Sequence, residues 1–123
     1  MRYYYFEKLD VWQLSKNLSV EIYKLTESYP KNEMFGLVNQ IRRATVSVAS
    51  NIAEGSGRIS GRDKAHFIQL AYGSLMEVLN QILISKDLNF ISEDKYLDMR
   101  SRIEEISNKL NALRTSYLTK FTN

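Results

Sequence analysis

Proline is the residue that most constrains this chain, because its 123 residues contain only one, Pro30. Proline lacks an N–H group and its ring clashes with the preceding turn, so Pro30 ends a helix. On both sides of it, apolar residues recur at steps of three and four, the spacing of an amphipathic helix. No alternating pattern with hairpin-turn residues competes with that spacing. The sequence therefore predicts an all-α protein.

Four segments carry the helical spacing, and they predict helices over about residues 9–28, 33–54, 61–86 and 93–117. Short connections between long helices make neighbours antiparallel, which predicts an up-down-up-down four-helix bundle. A chain of this length forms one domain, so residues 1–123 are expected to share one core. The second helix has the most regular apolar seam, formed by Met34, Val38, Ile41, Thr45, Val48 and Ile52.

The connection between the second and third helices is rich in glycine and arginine and reads NIAEGSGRISGR from Asn51 to Arg62. Its glycine spacing fits neither a dinucleotide-binding loop nor a P-loop, because the required glycines and lysine are absent. We expect Gly55 or Gly57 to end the second helix in the left-handed conformation. Asn32 can cap the second helix, and Ser60 with Asp63 resembles a capping box for the third. After Ser92, Glu93 and Asp94 place acidic residues at the positive end of the fourth helix.

Several classes of protein are disfavoured by what the sequence lacks. There is no cysteine for a disulfide or a thiolate metal site, and His66 is the only histidine. The N-terminal residues lack the apolar core of a secretory signal, and we expect no run to approach a membrane span. These observations predict a cytoplasmic protein with no metal and no cofactor.

The positive charge is concentrated in one part of the chain. Six basic and three acidic residues lie between positions 31 and 64, whereas the remainder carries eleven of each sign. Such a local excess indicates an anionic partner, for which nucleic acid is the main candidate. The predicted nucleic-acid-binding residues are Arg42, Arg43, Arg58, Arg62 and Lys64.

A row of polar residues follows the second helix beside its apolar seam, and the largely apolar third helix also carries polar residues. We expect these residues to form a buried polar clamp between the two helices, comprising Gln40, Ser47, Asn51, Glu54, Ser74 and Glu77. Tight helix contact would explain Gly73 in mid-helix. The alternative is a carboxylate pair, Glu54 with Glu77, doing acid/base or metal chemistry. Di-metal bundles use Glu-x-x-His pairs, which this chain lacks.

Apolar or small residues cover more of the second and third helices than a lone bundle needs. Phe35, Val46, Ala49 and Ala53 extend beyond the seam of the second helix. A helix in a monomeric bundle requires an apolar stripe over only about a third of its circumference. The excess predicts that the chain associates with further copies of itself.

The chain resembles the four-helix-bundle family of proteins encoded by intervening sequences in bacterial 23S ribosomal RNA genes. The accessory variability determinant of diversity-generating retroelements belongs to the same broad family. The resemblance rests on Leu9, Trp12, Tyr23, Pro30, the run Phe35-Gly36-Leu37-Val38-x-Gln40-x-Arg42-Arg43-Ala44, Ser47, Asn51-Ile52-Ala53-Glu54-Gly55, Phe67, Ala71, Gly73-Ser74 and Glu77. Ala49 departs from the pattern, because many relatives have a proline there.

This resemblance implies a ring-like homopentamer without catalytic activity. In the retroelement branch it further implies nucleic-acid binding through basic surfaces and association with a reverse transcriptase. Three hypotheses follow: an oligomeric nucleic-acid-binding accessory protein, a protein-interaction scaffold, and an enzyme that uses Glu54 and Glu77. We favour the first, since the basic excess and the family agree on it.

Overall fold

The computed structural model describes residues 1–121, which form four long helices and no strand. They are α1 (Asp10–Thr26), α2 (Asn39–Ser56), α3 (Gly61–Asp87) and α4 (Glu93–Phe121). Two 3-10 turns, Tyr5–Lys8 and Lys31–Glu33, precede α1 and α2. The predicted all-α four-helix bundle is confirmed, although α4 continues four residues beyond its predicted end at residue 117.

Contacts between successive helices run in opposite chain directions. Ser47 in the middle of α2 lies 2.9 Å from Ser74 of α3, and Gly55 near the end of α2 lies against Phe67 near the start of α3. These two helices are therefore antiparallel. Between α1 and α2, Thr26 contacts Arg42 and Ser19 contacts Thr45, so these two helices are antiparallel as well. Between α3 and α4, Lys86 contacts Glu93 and Lys64 contacts Tyr117, which shows the same reversal.

The core is a continuous apolar column to which all four helices contribute. Full burial of a valine, leucine, isoleucine or methionine side chain stabilises the fold by about 1.5–3 kcal/mol relative to leaving it exposed. Thr45, the polar member of the predicted seam of α2, is fully buried. Its hydroxyl oxygen has a partner, since it lies 3.3 Å from Ser19 Oγ. The largest fully buried side chains are Leu18, Ile22, Val38, Ile41, Ile52, Ile68, Leu75, Ile82, Met99, Ile103, Ile106 and Leu110.

The start of the second helix differs from the prediction. A π-helical turn, Met34–Val38, precedes α2, and Gly36 within it has φ −110° and ψ −109°. Glu33 caps this turn by accepting the Leu37 N–H, so Asn32 is not the cap. A side chain at Gly36 would place its Cβ 3.1 Å from Glu33 Oε1. The kink leaves Phe35 94% exposed.

The glycines at the end of α2 do not adopt the predicted left-handed conformation. Gly57 has φ −88°, and no described glycine has a positive φ. Gly55 is helical and buried. Glycine is needed there because a Cβ would lie 3.0 Å from Phe67 Cβ and 3.2 Å from the Lys64 carbonyl oxygen. The left-handed backbone conformation occurs instead at Asn89, which has φ 62° and lies just after α3. Asparagine tolerates this conformation better than most residues.

The predicted helix cap at Ser60 is confirmed, and Ser92 caps α4 in the same way. Ser60 Oγ accepts the Asp63 N–H at 3.1 Å, and Ser92 Oγ accepts the Lys95 N–H at 3.2 Å. Both bonds satisfy an N–H group that has no partner within its own helix.

Helix α3 is long and apolar enough, by length and composition, to cross a membrane. The expectation that no run approaches a span is therefore wrong for this segment. In the bundle, the most apolar residues of α3 form the stripe that packs into the core, including Ile68, Leu75, Val78 and Ile82. The core helix of a bundle satisfies the same criteria.

The predicted tight contact at Gly73 is absent from the single chain. Gly73 is exposed, and nothing lies within 4 Å of the position that a Cβ would occupy. The close approach between α2 and α3 occurs instead at Gly55.

Candidate nucleic-acid interface and the two clefts beside helix α2

One end of the bundle brings together arginines from different helices. Arg62, His66 and Gln69 of α3 and Arg114 of α4 line a recess of about 280 Å³. Positions 62, 66 and 69 share one face of α3, because residues three and four apart are neighbours on a helix. Arg62 and Arg114 are exposed, and neither is ion-paired with any residue in the range 1–121. Both guanidinium groups can therefore donate hydrogen bonds to a bound anion.

Arg58, at the end of α2, adds a third exposed cation at this end. Its guanidinium carbon lies 4.4 Å from the centre of the Phe67 ring, and its Nη2 lies 3.0 Å from Glu54 Oε2. An exposed pair of this kind contributes only about 0–1 kcal/mol, so a phosphate can compete with the carboxylate. We call Arg58, Arg62 and Arg114, with His66 and Gln69, the arginine end.

Lys64 does not have the predicted exposed position. It is only 9% exposed, its Nζ donates to the Ser56 carbonyl at 3.0 Å, and the same Nζ lies 5.4 Å from the centre of the Tyr117 ring. A lysine that binds the last carbonyls of a helix stabilises that end. Lys64 thus closes the end of α2 and contributes structure instead of a phosphate contact. Beside it, burial raises the pKa of Tyr117 to about 12, with Tyr5 adding to the rise.

Arg42 is likewise committed to the fold. Its Nε donates to Thr26 Oγ1 at 2.9 Å, its Nη2 donates to the Tyr23 carbonyl at 3.2 Å, and its guanidinium stacks 4.6 Å from the Tyr23 ring centre. These contacts hold the end of α1 against α2. The adjacent Arg43 is exposed and has no ion pair in the described part of the chain. Of the five predicted phosphate ligands, Arg43, Arg58 and Arg62 remain accessible.

An aromatic arm precedes α1. Tyr3, Tyr4 and Tyr5 are 61%, 57% and 59% exposed, whereas Phe6 packs edge-on against Trp12 with ring centres 5.0 Å apart. Asp10, at the start of α1, lies 2.8 Å from Lys109 of α4, so this arm lies toward the same end of the bundle as Arg114. Exposed aromatic rings are surfaces on which unpaired bases stack.

The predicted polar clamp between α2 and α3 is smaller than expected. Ser47 Oγ lies 2.9 Å from Ser74 Oγ, and Asn51 Nδ2 donates to Ser47 Oγ at 3.0 Å and to its carbonyl at 2.9 Å. Glu54 is exposed and pairs with Arg58, just beyond the end of its own helix. Three of the six predicted members therefore form the hydrogen-bonded cluster.

Gln40 and Glu77 are exposed and line an open cleft beside the serine pair instead of a buried clamp. The cleft encloses about 380 Å³. The helices do not close over it, because polar side chains occupy both walls where apolar ones would pack. We call it the polar cleft, lined by Asn39, Gln40, Arg43, Ala44 and Ser47 of α2 and by Ser74, Glu77 and Gln81 of α3.

The opposite side of α2 faces α1 across a groove of about 330 Å³. Its walls are mostly apolar, and Val20 and Val46 are 47% and 42% exposed. We call it the apolar groove, formed by Trp12, Lys16, Ser19 and Val20 of α1 and by Val46, Ala49, Ser50 and Ala53 of α2. It accounts for much of the excess apolar circumference that the sequence predicted.

Sequence reasoning missed Arg114, and it placed Gln81 on the flank of Glu77 without including it in the predicted clamp. Arg114 lies fifty positions beyond the basic segment, and only the packing of α4 against α3 places it beside Arg62. Gln81 lies two turns from Ser74 on the same face of α3, a spacing that the sequence does contain. No group of three or more histidine, cysteine or acidic side chains suited to a metal ion occurs within residues 1–121.

The fold and these sites define a small all-α protein of the four-helix-bundle class. Residues 7–112 match the family of 23S rRNA-intervening sequence proteins, and the chain belongs to that family. The resemblance inferred from the sequence is thereby confirmed. The broader relation to the retroelement determinant stays a prediction.

A solved structure supports the fold independently. It is a protein with unknown function from the S23 ribosomal protein family of Bacteroides thetaiotaomicron. The two structures superpose with a TM-score of 0.79, covering 85% of this chain and 95% of the other. Their sequences are 21% identical, so the likeness shows the fold alone. No curated protein matches the sequence.

Proposed function

We propose that this chain is a non-enzymatic, homo-oligomeric nucleic-acid-binding protein of the cytoplasm that holds the phosphate backbone at its arginine end. The observation that carries the proposal is the recess shared by Arg62 and Arg114, two exposed and unpaired cations from different helices. A guanidinium group binds a phosphate through two parallel hydrogen bonds, which is the geometry that such an anion requires.

The arginine end is suited to a flexible polymer. Phosphate contacts fix the position of a nucleic acid without reading its sequence. The exposed tyrosines of the N-terminal arm lie at the same end and offer rings for unpaired bases. Single-stranded RNA fits this combination of cations and rings. The family description refers to 23S rRNA, which makes RNA the first polymer to test.

Self-association is the second part of the proposal, and the apolar groove supports it. A half-exposed row of apolar side chains between α1 and α2 loses its contact with water when another copy covers it. The pentamer implied by the family resemblance would repeat the arginine end around a ring and multiply weak phosphate contacts. A reverse transcriptase or another protein is a further partner to be tested on the assembled ring.

The test is a titration of labelled single-stranded RNA and duplex DNA across ionic strength. Three arginines that neutralise about three phosphates give a log–log salt slope of roughly −2 to −3. The double variant R62E/R114E should lose most of the affinity and flatten the slope by roughly 2. The matched control is K24E/K95E, which reverses two exposed lysines at the other end of the bundle and should change the slope little.

A protein-interaction scaffold without a nucleic-acid role is the competing function, and the same apolar groove favours it. The two functions are separated by R62E/R114E, provided that the assembly is measured by sedimentation in the same samples. Equal RNA affinity in R62E/R114E and K24E/K95E, with assembly retained in both, would establish the scaffold.

A further inference from the structure

The polar cleft has the features of a ligand site that the proposed function does not use. It lies in the half of the α2–α3 interface beyond the serine pair, away from the arginine end. Its lining includes Gln81, which is only 7% exposed and whose Oε1 atom has no hydrogen-bond partner among the described residues. A buried acceptor without a donor is rare in native proteins, so this oxygen is a place where a water molecule or a ligand N–H group can donate.

The two walls of the polar cleft carry opposite charges. The bond between Ser47 and Ser74 fixes the register of α2 against α3. One turn further from it, Arg43 lies on the α2 wall and Glu77 on the α3 wall. Both side chains are exposed, and within residues 1–121 neither has an ion pair. The cleft therefore presents one free cation and one free anion across its width.

This arrangement excludes most kinds of ligand. Glu77 repels a phosphate or another polyanion, and Arg43 repels a metal ion or a polyamine. No aromatic side chain lines the cleft, so a nucleobase or a flat apolar compound finds no stacking surface. A small molecule with one positive and one negative group matches both walls.

We propose that the polar cleft binds a zwitterion of the free amino-acid class. The carboxylate of the ligand accepts hydrogen bonds from the guanidinium of Arg43, and its ammonium donates to the carboxylate of Glu77 and to Gln81 Oε1. A carboxylate held by arginine and an ammonium held by a carboxylate are both charge-assisted interactions. The ammonium also supplies the donor that the buried amide oxygen requires.

The test is a titration of the isotope-labelled full chain with each of the common L-amino acids, followed through the backbone amide signals of the cleft residues. We expect at least one amino acid to shift the signals of Ser47, Ser74 and Gln81 saturably below about 10 mM. Removing one ligand charge, as in its N-acetyl derivative or its methyl ester, should weaken binding about tenfold or more. No saturable shift with any amino acid overturns the proposal.

Two variants assign the ligand charges to the walls. In E77Q, the free amino acid should bind no better than its N-acetyl derivative, and in R43Q no better than its methyl ester. The control E105Q changes an exposed glutamate of α4 and should keep the full preference for the zwitterion. Equal behaviour of E77Q and E105Q contradicts the proposal.

The proposal is independent of nucleic-acid binding. R62E/R114E leaves the polar cleft intact and should bind the amino acid as the natural chain does, whatever happens to RNA affinity. If a second copy of the chain covers the cleft in the assembly, no amino acid will bind, and the inference fails while the proposed function stands.

Discussion

Helix α2 separates two surfaces of opposite chemistry. On its α3 side, some polar groups of the polar cleft are satisfied by the hydrogen bonds among Ser47, Ser74 and Asn51. On its α1 side, the apolar groove exposes Val20 and Val46, and no other part of the described chain covers them. The polar side can remain in water without cost, whereas the apolar side gains free energy only when something covers it.

The difference originates in the rows of residues along α2. Gln40, Ser47 and Asn51 follow one row, whereas Val46, Ala49 and Ala53 follow another, with each residue advancing roughly 100° around the axis. The small side chains of the two alanines permit close approach of another helix. One helix thus separates the surface proposed for a solute from the surface proposed for a second protein chain.

The largest expected effect is on assembly. V46E places a carboxylate in the apolar groove, and covering that unpaired charge should cost about 3–5 kcal/mol of association free energy per contact. Sedimentation should show smaller species, while the thermal stability of the single chain changes little because the side chain is half exposed. N111E, on the exposed face of α4, is the control. Unchanged assembly in V46E would remove the apolar groove from the interface.

The spacing between α2 and α3 is tested by G55V. A Cβ at position 55 meets Phe67 Cβ at 3.0 Å, so valine must push the helices apart and should destabilise the fold by about 1–3 kcal/mol. Denaturant unfolding measures the loss. A neutral result would mean that the helix ends separate easily, and the polar cleft would then have no fixed width.

S47A removes the hydroxyl that joins Ser74 and Asn51. We expect a loss of about 0.5–1.5 kcal/mol in unfolding free energy, the usual contribution of one side-chain hydrogen bond. The substitution S50A, on the apolar side of α2, involves no hydrogen bond of its side chain within residues 1–121 and should be nearly neutral. Equal losses in the two variants would contradict the contrast between the two sides.

The smallest effect is expected at Gly73, on the exposed face of α3. With nothing within 4 Å of its Cβ position, G73A should stabilise the chain by about 0.8–1 kcal/mol through helix propensity. Thermal unfolding measures the gain. If G73A instead weakens assembly in sedimentation, another copy covers this face as well, and the polar side of α2 would not be free for solutes.

Much of the fold could be predicted because it depends on local pattern. The seam through Ile41, Val48 and Ile52 determines which face of α2 is buried, and Ser60 and Ser92 occupy the positions where helices need an acceptor. The π-helical turn at Gly36 could not be predicted, since it depends on how Glu33 satisfies the Leu37 N–H in three dimensions.

The candidate site was predictable only in part. Counting charges finds Arg58 and Arg62, but it does not show that Lys64 is buried against Tyr117 or that Arg114 approaches from α4. A long side chain can send its charge toward solvent or toward a helix end, and tertiary packing decides between them. The sequence identifies cations, and the packing selects those that face outward.

The buried ammonium of Lys64 has a practical consequence for mapping the surface. Because its Nζ binds the Ser56 carbonyl, truncating Lys64 to alanine would loosen the connection between α2 and α3, which contains Arg58 and leads into the turn with Arg62. An alanine scan of the proposed RNA affinity would then score position 64 as a contact although its ammonium is held inside the fold. The folding stability of each alanine variant must therefore be measured before a loss of affinity is taken to show a direct contact by the replaced side chain.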